Sequence, residues 1–255
     1  MAQAEVSQRP VTKTRGGGEA SVLPERRFFF IMAVICALTI FAGFVPSYYL
    51  KDVFHAPPPL SAITRIHGFV FTAWGILFVV QAALIGYDKP VLHRRLGLLA
   101  AVLFGALVAI GVMTAINAGR LGHAPPGSPA PLVFMIVPIT IITGAAVLVV
   151  AALWNRVQRD VHMRYMLAAF IAMTPPATHR LVLGMGFPIQ ALWIAYAIMN
   201  VLLGIAVLYD FRTRRSVHPA YVWSAVMYLV VEGTVLFAYS SSATWLPIAN
   251  WLIQT

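Results

Sequence analysis

The sequence predicts an all-α, polytopic membrane protein: one bundle of seven transmembrane helices with a cytoplasmic N-terminus and a C-terminus outside. Three observations predict it. Of 255 residues, 60% are hydrophobic and only 10% charged, with a mean hydropathy of +0.82; a soluble domain carries about 25% charged residues. The apolar residues gather in seven runs, each near the ~20 residues that a helical span needs. The basic residues sit in alternate short connections, as topology in a bilayer requires. A net charge of +10 therefore belongs to membrane topology, and nucleic acid is not expected as a partner; the lipid bilayer is. Cys36 is the one cysteine of the chain, so neither a disulfide framework nor a cysteine metal cluster is available.

Residues 1–26 are polar, basic and glycine-rich, without periodicity, and are expected to form a disordered cytoplasmic tail. The transmembrane domain is expected over 27–239. Its first span, Arg27 to Tyr49, is too long for a signal-peptide core and reads as uncleaved. A turn with Pro57, Pro58 and Pro59 follows. The second span runs from Leu60 to Tyr87, the third from Leu92 to Ala118, and the fourth from Leu132 to Trp154 after a loop rich in glycine and proline. The fifth, Val161 to Leu183, contains Thr174-Pro175-Pro176, which removes backbone donors and predicts a kink. The tight GMGFP turn leads to the sixth, Ile189 to Phe211, and RTRRSVHP to the seventh, Ala220 to Tyr239. Residues 240–255 are too short to cross again. Trp245 and Trp251 there suggest a tail in the outer interface.

Orientation follows from the cations. Arg9, Lys13, Arg15, Arg26, Arg27, Lys89, Arg94, Arg95, Arg156, Arg159, Arg164, Arg212, Arg214 and Arg215 fall on one side, 14 of the 18 lysines and arginines. Lys51, Arg65, Arg120 and Arg180 fall on the other. The richer side is expected in the cytoplasm. Asp88, Asp160 and Asp210 lie at the same ends and are expected to make ordinary interfacial pairs.

The second span carries the pattern on which a functional reading turns. His67, Trp74 and Gln81 recur every seven residues, with Phe71 and Phe78 beside them. Seven residues turn a helix through about 700°, so these groups share one face. A polar stripe at membrane depth faces protein, a cofactor or water rather than lipid. The histidines sort by depth: His67 with His179 near the outer ends of spans two and five, and His93 with His162 near the cytoplasmic starts of spans three and five. Two imidazoles from facing helices at each of two depths are what bis-histidine haem ligation needs. Arg65 and Arg180 flank the outer pair and Arg95 and Arg164 the inner one, where propionates would want cations. In that pairing the chain resembles the two-haem b-type cytochromes of membranes. The resemblance implies haem b, with His67 and His179 as iron ligands, and electron transfer with a redox partner or quinone.

The stretches HGFVFTAW, LHRRLG and HMRYM together resemble a group of uncharacterised bacterial multi-pass inner-membrane proteins. The matching positions are His67, Trp74, His93, Arg95, Leu96, Gly97, His162 and Arg164. That resemblance implies a bacterial inner-membrane location and brings no activity with it.

Two other readings stay open beside the redox one. A small-solute transporter, sensor or accessory subunit would use a polar pocket of His67, Trp74, Gln81, Arg180 and Glu232 in the outer half of the bundle. An intramembrane zinc hydrolase would take His67, His179 and Glu232 as ligands, although no H-x-x-x-H pair stands on one helix. Glu232, the only acid deep in a span, is expected to pair with Arg180. The only lysines, Lys13, Lys51 and Lys89, are misplaced for a retinal Schiff base. There is no phosphate loop, dinucleotide fingerprint or serine elbow.

Overall fold

In the computed structural model the described residues are 19–55 and 59–254, with side chains from Pro24 onward. Among them every regular element is helical. The order is α1 (Glu19–Phe44), α2 (Ala62–Gly86), α3 (Pro90–Arg120), α4 (Pro131–Phe134), α5 (Ile136–Trp154), α6 (Arg159–Ala172), α7 (Pro175–Gly184), α8 (Ala191–Arg214), α9 (Pro219–Ser240) and α10 (Ser242–Gln254). Seven segments are long and apolar enough to cross a membrane: Pro24–Tyr49, Ala62–Gly86, Pro90–Arg120, Pro131–Trp154, Arg159–Gly184, Ala191–Arg214 and Pro219–Ser240. These are the seven expected spans, so the chain is a multi-pass membrane protein. Most of the tail expected at 1–26, together with Pro57 and Pro58, lies outside the described residues; from Glu19 onward the chain is already helical.

Local chemistry accounts for the breaks. α1 ends in a π-helical turn, Val45–Tyr49, closed by the Leu50 N–H donating to the Val45 carbonyl at 2.8 Å. Ser61 caps α2, its hydroxyl accepting from the Thr64 N–H at 3.3 Å. The fifth span is two helices. Pro175 and Pro176 donate no N–H, so α6 stops at Ala172 and α7 restarts at Pro175. Thr174, at the junction and fully buried, turns its hydroxyl back onto the Ile171 carbonyl at 2.8 Å.

α1, α2, α3, α5 and α6 pack in a closed ring, each on the next and α6 back on α1. α7 sits against α1 and α8, and α9 seals the far side against α5, α6 and α8. The fifth span is the most enclosed of the seven and α2 the least. Only Trp74 and Gly75 of α2 are fully buried, so α2 lies at the rim with one face turned inward. Close approach of α1 to α7 requires Gly43, where a Cβ would overlap the Ala177 backbone. α10 turns back onto α3, α4 and α9. There Trp245 packs into the protein. It is buried, its indole N–H donating to the Leu132 carbonyl at 2.7 Å, and Trp251 alone stays exposed.

Candidate functional site

The connections α2–α3, α5–α6 and α8–α9 meet at the arginine-rich end, and there His93 and His162 come together. Their ring centroids stand 6.4 Å apart with the planes at 85°. Each ring is held from behind. His93 Nδ1 lies 3.2 Å from the Gln81 carbonyl and His162 Nδ1 lies 2.9 Å from the Ala152 carbonyl. A carbonyl only accepts, so both Nδ1 atoms carry the hydrogen and both Nε2 lone pairs are free. The Ala152 contact has a local cause. It lies in the last turn of α5, where carbonyls lack intrahelical donors; Asn155 N–H takes Ala151 and Arg156 N–H takes Leu153. Fixing the rear nitrogen to a carbonyl is the arrangement that orients metal-binding imidazoles. Arg94 and Arg95 are exposed beside His93.

Arg164 does not stand free to serve a cofactor. Its guanidinium is fully buried and grips Asp210 at two points, Nε to Oδ2 at 2.8 Å and Nη2 to Oδ1 at 2.7 Å. It also donates to Glu25 Oε1 at 3.2 Å and to the Asp160 carbonyl at 2.8 Å. The Phe29 and Tyr221 rings cover it at 5.8 and 5.9 Å. Asp210 is thus no ordinary interfacial acid: it has no exposed surface, and the cluster ties α6 to α1, α8 and α9. The signal in the sequence was depth. Arg164 lies one turn inside its span and Asp210 one turn inside the end of α8, so their heights match. At the rim of the same cluster His218 caps α9. Its Nδ1 accepts from the Ala220 N–H at 3.1 Å, and its Nε2 faces Asp160 Oδ2 at 3.4 Å. Burial foremost, with the Arg164 charge next, pushes its pKa below the usual value.

The stripe on α2 does face inward. Trp74 meets Phe78, Phe104 and Phe170 at centroid distances of 5.5, 5.0 and 5.6 Å, and Phe78 lies 4.2 Å from Phe170. These rings fill the middle of the bundle between the two histidine levels. Gln81 lies below them against Gly97, its side-chain carbonyl buried without a partner.

At the opposite end His67 and Arg180 are linked through two rings, Phe71 and Phe44, whose centroids stand 6.3 Å apart. The Arg180 guanidinium donates to the Pro176 carbonyl at 2.7 Å and stacks over Phe44 at 4.4 Å. His67 packs on Phe71 at 5.9 Å and lies against α3 at Gly111, where a Cβ would make ordinary contact with the imidazole but overlap the Ile142 side chain of α5. Its Nδ1 is buried without a partner. His179 is buried against Phe134 at 6.3 Å. Arg65 is exposed, its carbonyl accepting from the Tyr48 hydroxyl at 2.8 Å.

Glu232 does not meet Arg180, and that expectation is corrected. Its Oε1 accepts from the Asn200 amide at 2.7 Å, across α8 and α9. Asn200, in the third turn of α8, offers a short polar side chain at the carboxylate's depth, whereas Arg180 turns back onto its own helix. The pocket expected from His67, Trp74, Gln81, Arg180 and Glu232 is therefore not one site but several. Among the described residues no three His, Cys, Asp or Glu gather closely enough to hold a metal ion, so His67, His179 and Glu232 do not assemble the zinc site.

Comparison with known proteins gives no match: no family model, no curated protein and no solved structure is similar enough to the chain to lend it a family.

Proposed function

We propose that this chain is a redox-linked membrane protein that binds haem b between His93 and His162. The observation that carries the reading is the disposition of those two rings. A metal–imidazole bond is about 2 Å and the ring centre lies about 1 Å beyond the nitrogen, so two imidazoles that would hold one metal ion between them would have centres about 6 Å apart. The 6.4 Å between His93 and His162 matches that spacing. Both rings already have the tautomer that ligation needs. The number of ligands also favours a porphyrin. A bare zinc ion wants three or four protein ligands, whereas haem brings its own four equatorial nitrogens and asks the protein for two. Arg94 and Arg95 are the cations placed for the propionates, Arg164 being committed to Asp210. Bound there, haem supplies one-electron chemistry. The chain's part is to hold the imidazoles, to exclude water with the Trp74 cluster, and to present the arginine-rich surface to a redox partner. In this reading that end faces the cytoplasm and the chain sits in a bacterial inner membrane; the excess of lysine and arginine there supports the orientation.

The absorbance spectrum of the purified protein tests this. The reading expects a Soret band that shifts on reduction with dithionite, and a low-spin EPR signal of the highly anisotropic kind given by perpendicular imidazole planes. A colourless, folded preparation that takes up no added haemin overturns it.

A second reading, a transporter or sensor for a small anionic solute, is favoured by the opposite end. Arg180 has no acidic partner among the described residues, and His67 Nδ1 at the same end is buried without a partner. Stabilisation of the protein by a small carboxylate or phosphate, lost in Arg180→Gln, supports that reading; no response to any anion opposes it.

A further inference from the structure

The face formed by α8 and α9 poses a problem that neither histidine site addresses. Glu232 lies 8 residues before Ser240 and Asn200 lies 9 residues after Ala191. On helices rising 1.5 Å per residue, both stand about 12–14 Å inside the bundle from the same end. Yet Asn200 is exposed and Glu232 partly so, among Val201, Ile205, Leu229 and Leu236, which are exposed as lipid-facing side chains are. An ionisable side chain at that depth is costly and normally faces protein. The one amide donor from Asn200 leaves most of the carboxyl group's hydrogen-bonding capacity unused. The buried hydroxyls of Tyr196 and Tyr239 near this seam have no partner and do not relieve it.

We propose that this face is the docking surface for a second copy of the same chain, related by a two-fold axis along the bilayer normal. The face is complementary to itself. It carries a carboxyl acceptor and an amide donor at one height, so a two-fold rotation brings the Asn200 of each copy to the Glu232 of the other, as an isologous interface demands. It also has room. Gly204 stands one turn from Asn200 and Gly233 stands beside Glu232. A Cβ at either would meet no atom of the chain within 4 Å, so packing inside the chain does not call for glycine at these two places. Small outward residues on lipid-facing helices let two backbones approach, and polar side chains then bond across the contact. The sequence Asn200-x-x-x-Gly204 supplies both on one helix. This inference does not rest on the haem reading.

Förster transfer between labelled copies in liposomes, followed as the lipid is diluted in, tests it. The wild type is expected to remain dimeric to about tenfold higher lipid dilution than Glu232→Leu, which removes the polar contact. Gly204→Leu is expected to abolish transfer by bulk alone while melting as the wild type does, since its side chain points away from the fold. A wild type that is monomeric at every dilution overturns the proposal, and so does a dimer that ignores either substitution.

Discussion

Arg164 and Asp210 form a two-point ion pair, 2.8 and 2.7 Å long, in which neither side chain has any exposed surface. Such a pair holds helices in register more than it adds stability, because desolvation offsets much of the attraction, while removal of one partner strands a buried charge. Asp210→Leu is expected to destabilise the bundle by about 3–5 kcal/mol, with Arg164→Met similar. The double variant is expected to recover part of the loss. Additive losses in thermal melts of the four proteins contradict the pairing, since partners in contact couple.

His218 makes stability depend on pH. Its folded pKa lies below the ordinary 6.5, so at neutral pH it is uncharged in both states and contributes no pH slope. As the pH falls below about 6.5 the unfolded chain binds the proton first, and stability declines until the folded imidazole also titrates. Protonation at Nδ1 also removes the acceptor that caps α9. His218→Asn keeps a capping acceptor and is expected to flatten the decline. Melts between pH 5 and pH 8 that give the same slope for both proteins contradict this.

Trp74 holds the centre of the bundle through three ring contacts at 5.0–5.6 Å. Lipid replaces water as the solvent of these helices, so the contribution is packing rather than hydrophobic transfer. Trp74→Ala leaves a cavity and is expected to cost about 3 kcal/mol or more, with Trp74→Phe costing clearly less. Denaturation in mixed micelles measures it. A change below about 1 kcal/mol for the alanine variant means that the cluster is looser than its geometry implies.

How much of this was legible in the sequence follows from what kind of force places each residue. The seven crossings were, because a ~20-residue apolar run has few alternatives in a bilayer. The inward stripe on α2 was, because helical period is a local property. Depth set His93 and His162 at one end, since both start helices there; that their rings meet is a finding of the fold. Lateral neighbours were not legible. Depth puts Asn200 level with Glu232 and Arg180 about 6 Å nearer the end, within the span of a long side chain; only the order of helices around the bundle makes Asn200 the partner. Asp210 looked like a surface acid because it ends an apolar run among arginines. Its burial depends on α1 and α9 closing over it. The burial of Trp245 was not legible because the fold of a 13-residue helix back onto α4 is a tertiary event with no period to announce it.

The central claim is that His93 and His162 together hold one iron. Haem content per chain, measured by pyridine haemochrome in the wild type, His93→Ala, His162→Ala and His67→Ala, tests it most directly. The account predicts haem in the wild type and in His67→Ala, and its loss from either of the other two while they remain folded. Haem retained without His93 and His162, or absent from a folded wild type supplied with haemin, contradicts it.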